Sequence, residues 1–79
     1  MARVLLFGRL SDIAGWRERQ IDSPFLSALR AALTSEDAAL GDALTAPGVQ
    51  VALDQMIVRG DAPLNPGAEV AFLPPMSGG

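Results

Sequence analysis

The sequence predicts an α+β fold, a mixed sheet of about five strands packed on one main helix. Three observations predict it. Short apolar runs near both ends, "ARVLLFG" (2–8) and "AEVAFL" (68–73), read as strands. Apolar residues at three- and four-residue spacing after Pro24 read as an amphipathic helix. "VQVAL" (49–53) and "MIVRG" (56–60), separated by Asp54-Gln55, read as a hairpin.

The first strand alternates Val4 and Leu6 on one face with Arg3, Leu5 and Phe7 on the other. "LSDIAG" is one helical turn closed by Gly15, and "WRERQID" is a second, more exposed strand paired with the first. Ser23 is placed to cap the main helix and Pro24 to occupy its first position. Phe25, Leu26, Leu29, Ala32 and Leu33 form its stripe. A second helical segment, "EDAALGDALT", comes after Thr34-Ser35, with Leu40, Ala43 and Leu44 on one side. Gly41 within it costs about 1 kcal/mol relative to alanine. Ala46-Pro47-Gly48 ends that segment, and Pro66-Gly67 matches a type II turn before the last strand. The last strand sets Val70 and Phe72 on one face, Ala71 and Leu73 on the other. First and last strands are the most apolar and belong in the centre of the sheet, which is the β-grasp arrangement.

Composition narrows the function. Seventy-nine residues, 49% apolar and 19% charged, make one globular domain. A net charge of −3 with scattered arginines argues against nucleic acid as the main partner. No apolar run approaches a membrane span or a signal-peptide core, so the expected location is cytoplasmic. Without histidine, cysteine or lysine there is no ready proton shuttle, thiolate or Schiff base. The acidic residues lack metal-ligand spacing. Glu36-Asp37 could form an acid/base pair, but next to Thr34-Ser35 they read better as the acidic start of a helix. A self-contained enzyme is not expected, and no bound cofactor or metal.

Two features remain. If Val4, Leu6, Val70 and Phe72 cover the helix, then Leu5, Phe7, Ala71 and Leu73, with Ile57 beside them, form an apolar second face. Such a face on a small domain marks a binding surface, unless the second helix covers it. The other feature is the end, "FLPPMSGG". Pro74-Pro75 stop the ladder and favour extended backbone that directs the final residues. Met76 and Ser77 lead to Gly78-Gly79, which can enter a channel too narrow for side chains. The expected organisation is a domain over 1–75 and a flexible tail over 76–79.

With these stretches in view, the chain resembles the small subunits of molybdopterin synthase (MoaD), a ubiquitin-like sulfur-carrier family. The matching stretches are "VLLFGRL", "VALDQMIV" and "PLNPGAEVAFLPPMSGG". Three positions depart from the family pattern: Asp54, where asparagine is common, Leu73, where a second phenylalanine is usual, and Ser11, where a basic residue often stands. The resemblance implies that Gly79 bears sulfur as a C-terminal thiocarboxylate, formed through an acyl-adenylate. Met76, Ser77 and Gly78 would line the partner's channel. Phe7, Ile57 and Leu73 would dock, and Pro74 and Pro75 would direct the tail. The implied partners are a MoaE-like large subunit of molybdopterin synthase and a MoeB-like adenylating enzyme that consumes ATP and Mg. Carriers for thiamin or tRNA thiolation, a ubiquitin-like protein modifier, and an interaction module with an inert tail are the alternatives.

Overall fold

The computed structural model describes residues 1–75. The chain runs β1 (Ala2–Leu6), α1 (Arg9–Ala14), β2 (Glu18–Ile21), α2 (Leu26–Glu36), α3 (Ala38–Leu44), β3 (Gln50–Leu53), β4 (Met56–Val58) and β5 (Glu69–Leu73). The strands form one sheet in the order β2-β1-β5-β3-β4. β1 and β5 lie side by side and parallel, Val4 opposite Val70 and Leu6 opposite Phe72. The remaining pairs are antiparallel. This is a β-grasp sheet, and the apolar terminal strands are central because each is flanked on both sides.

Alternation delivers one face of the sheet to the helices. Val4, Leu6, Val51, Val70 and Phe72 pack with Leu26, Leu29 and Leu33 of α2 and with Leu40 and Leu44 of α3. Val4, Leu29, Val70 and Phe72 are 0% exposed. Each such side chain contributes about 1.5–3 kcal/mol of burial, which a domain this small needs.

α2 starts later than its sequence suggests. Phe25 is extended, bridged to Pro63, and the Leu26 N–H donates to the Ala62 carbonyl at 2.9 Å. The chain therefore cannot turn into a helix before Leu26, and Ser23 is not the cap. Asp61 takes that role from a distant loop: its Oδ1 accepts from the Ser27 N–H and its Oδ2 from the Ser27 hydroxyl, both at 2.8 Å. Phe25 and Ala32, expected in the apolar stripe, are exposed.

The Ser27 N–H, then the Ser27 hydroxyl, hold the Asp61 carboxyl below its ordinary value; desolvation opposes them, while the Ala62 N–H and Arg30 add to them. A folded value below the unfolded one means that this stabilisation is present above the unfolded value, about 3.9. It is lost as pH falls through the folded value. Asp61→Ala is expected to lower the melting midpoint at neutral pH and to flatten the decline in stability below roughly pH 4. Parallel melting series of both proteins across acid and neutral pH check this.

Thr34-Ser35 does not start a helix either, because α2 continues through Glu36. The next helix is capped by Asp37, whose Oδ1 accepts from the Leu40 N–H at 3.1 Å. Glu36 instead pairs with Arg19 at 3.1 Å. The cost of Gly41 also finds its reason. It is buried, and a Cβ there would lie 2.5 Å from Thr34 Oγ1 and 2.8 Å from Thr34 Cβ. Only glycine lets α3 approach α2 so closely.

Candidate functional site

The face of the sheet turned away from the helices is apolar through its middle. Leu5 pairs with Ala71, Ala71 with Ala52, and Ala52 with Ile57, so these side chains form a row across β1, β5, β3 and β4. Ile57 is 49% exposed and Phe7, one residue beyond β1, is 46% exposed. Leu73 is half-buried on the same face. α3 does not cover this row, since Leu40 and Leu44 belong to the core on the opposite side. Toward the start of β5 the face turns polar, where Arg3 pairs with Glu18 at 3.3 Å and Glu69 at 3.9 Å.

Phe7, beyond the apolar row, shares one end of the sheet with the exit of the chain. The Phe7 N–H donates to the Phe72 carbonyl at 3.3 Å. Beyond Leu73, Pro74 and Pro75 have no N–H to extend pairing. Pro74 is half-buried beside Gly8, and Pro75 lies against Gly48. An open cleft of about 530 Å³ borders Phe7, lined also by Leu5, Ser11, Asp12, Arg17 and Glu18. Phe7 and Leu73 therefore sit at the end of the sheet where the chain leaves through Pro74 and Pro75, with Ile57 at the far end of the row. The four remaining tail positions, Met76, Ser77, Gly78 and Gly79, lie outside the described residues.

The three departures from the family pattern each have a place. Asp54 and Gln55 take φ of 50° and 70° and close the β3–β4 hairpin. Asp54 Oδ1 accepts from the Glu69 N–H at 2.9 Å, and its own N–H donates to the Glu69 carbonyl at 2.8 Å. An asparagine oxygen would accept the same bond, so aspartate suffices here. Ser11 donates its hydroxyl to the Gly8 carbonyl at 2.8 Å, a local tie within the first turn of α1. Leu73 keeps the outer face apolar with less area than an aromatic ring.

Sequence reasoning missed Gly8 and Gly48, which read only as punctuation between elements. Their contacts with Pro74 and Pro75 depend on loops brought together across the sheet, so no local pattern announces them. Among the described residues no group of three or more acidic side chains is placed to hold a metal ion. No helix among them is long and apolar enough to cross a membrane.

Fold and likeness to known proteins first define the class: a ubiquitin-like protein of the sulfur-carrier kind. The chain belongs to the ThiS family, whose model matches residues 4–79. It is 33% identical over 81 residues to the molybdopterin synthase sulfur carrier subunit of Escherichia coli (strain K12), with 100% of both chains covered. Two of the solved structures that share the fold illustrate the likeness. The small archaeal modifier protein 1 of Methanosarcina acetivorans superposes with a TM-score of 0.87 at 21% identity, covering 99% of this chain and 95% of that one. CysO of Mycobacterium tuberculosis superposes with a TM-score of 0.82 at 17% identity, covering 96% and 100%.

Proposed function

We propose that this chain is the sulfur-carrier subunit of a molybdopterin synthase, working in the cytoplasm and bearing its sulfur on Gly79. A carboxylate is a poor electrophile, so a MoeB-like partner spends MgATP: a Gly79 carboxylate oxygen attacks the α-phosphorus, pyrophosphate leaves, and an acyl-adenylate forms. Sulfide-level sulfur from a donor then attacks that carbonyl, and AMP leaves with one former carboxylate oxygen. The product is a C-terminal thiocarboxylate. Met76, Ser77, Gly78 and Gly79 thread the active site of a MoaE-like large subunit, where the sulfur passes to a pterin precursor and becomes part of a dithiolene. The carrier binds no cofactor of its own, and its partners supply the acid, base and metal chemistry that its side chains lack.

One observation carries this reading. The exposed apolar side chain of Phe7 sits at the end of the sheet where the chain leaves β5 through Pro74-Pro75. A partner docked there, over Phe7, Leu73 and Ile57, is positioned to receive the residues beyond Pro75. The likeness to the Escherichia coli carrier subunit over the whole chain points to the same pathway. Conjugation to other proteins, or carriage of sulfur to thiamin or tRNA, would use the same terminus with a different recipient.

The test is intact mass spectrometry of the chain incubated with an adenylating enzyme, MgATP and a sulfur donor. The expected result is a mass gain equal to one oxygen replaced by one sulfur, mapped to Gly79. An unchanged mass, with an enzyme competent on another carrier, would reject the carrier reading.

A further inference from the structure

Pro74 and Pro75 rest on two glycines from different loops. Gly8, between β1 and α1, has φ 57° and ψ −134°, a backbone region open essentially to glycine. A Cβ there would stand 3.1 Å from Pro74 Cγ. Gly48, between α3 and β3, has φ 87°, and a Cβ there would stand 2.9 Å from Pro75 Cβ and 3.3 Å from its Cγ. Both contacts are closer than ordinary carbon–carbon packing, which is about 3.5–4.0 Å. Each proline ring therefore lies in space left open by a missing side chain.

From this geometry we infer that Gly8 and Gly48 form a seat that aims the tail, and that both are positioning residues for sulfur transfer; this rests on the carrier function proposed above. Each proline already has its φ held near −65°. Seating the rings against β1–α1 on one side and α3–β3 on the other restrains much of the remaining freedom. The direction of the chain at Pro75 is then set by the rigid domain. A terminus that must reach a reacting centre gains from this, because a displacement of about 1 Å in a reacting group can cost on the order of a hundredfold in rate. Docking and aiming are thereby separated: Phe7 and Ile57 hold the partner, while the two glycines direct the reagent.

A matched control exists within the fold. Gly67 has φ 81°, nearly that of Gly48, but a Cβ there would meet nothing within 4 Å. It lies before β5, at the end of the sheet away from the tail. Gly67→Ala therefore carries the backbone strain of Gly48→Ala without the collision with Pro75. A third variant, Pro75→Gly, removes the seated ring and strains no glycine position.

The experiment charges each full-length variant with sulfur and measures single-turnover transfer within the complex with the large subunit, as a function of carrier concentration. Gly48→Ala and Pro75→Gly are expected to lower the saturating rate by about tenfold or more, with the half-saturating concentration little changed. Gly67→Ala is expected to transfer at the wild-type rate despite its lowered melting midpoint. Nuclear Overhauser contacts between the Pro75 ring and Gly48 are expected in the uncharged wild-type chain. Equal saturating rates for Gly48→Ala and Gly67→Ala would overturn the inference, and so would the absence of those contacts. If the wild-type chain accepts no sulfur, the carrier function fails; the Pro75 contacts then decide the seat by themselves.

Discussion

Extending the chain by one residue beyond Gly79 is expected to abolish sulfur acceptance while leaving the melting midpoint unchanged. In the proposed mechanism the chemistry is all-or-none at this atom. Adenylation needs a free carboxylate on the carbon that will carry sulfur, and a further peptide bond turns that carboxylate into an unreactive amide. The new carboxylate is displaced by one residue, about 3.3–3.6 Å of extended chain, and no longer meets the same partner groups. Removing Gly78-Gly79 is expected to have the same effect by shortening the reach. The mass assay reads both variants directly. An extended chain that still gained sulfur at its new terminus would show that position along the tail does not matter, and the proposed mechanism would be lost.

Phe7→Ala is expected to weaken binding to the large subunit by about thirtyfold or more, the scale of an interface hot spot worth about 2 kcal/mol. The ring is 46% exposed in the free domain, so truncation removes little internal packing. Its melting midpoint should move by an amount equivalent to less than about 1 kcal/mol. Ile57→Asp tests the far end of the same row: a charge at a side chain 49% exposed is tolerated in water but must be desolvated under a partner. Titration calorimetry with the large subunit, alongside thermal melting, separates loss of docking from loss of fold. Unaltered affinity in both variants would remove this face from the proposed mechanism.

The parts of the fold that were readable in advance are those governed by local periodicity. Alternation in "ARVLL" and "EVAFL" assigned Val4, Leu6, Val70 and Phe72 to the core, where they lie. The Pro66-Gly67 turn forms as its residues suggest, with the Ala68 N–H donating to the Asn65 carbonyl at 3.0 Å. The outer row of Leu5, Ala71 and Ile57 came from the same alternation. What misled was the start of α2: Ser23-Pro24 has the composition of a helix entrance, yet the Phe25–Pro63 bridge keeps that segment extended. Asp61, the residue that does cap α2, is separated from Ser27 by 34 positions. No window along the chain contains both.

The same physical distinction divides the candidate site. Side-chain alternation and the lack of histidine, cysteine and lysine are properties of the chain itself, and alternation by itself determined an α+β domain with an apolar second face. Tertiary structure decided what depends on distant segments meeting. It brought Gly41 against Thr34 to set the helix approach, and placed Phe7 at the exit of β5. It also opened, at Gly8 and Gly48, the spaces that hold Pro74 and Pro75. A glycine's conformational freedom can be read from its name, but the neighbour that needs its missing side chain is fixed only when the whole chain has packed.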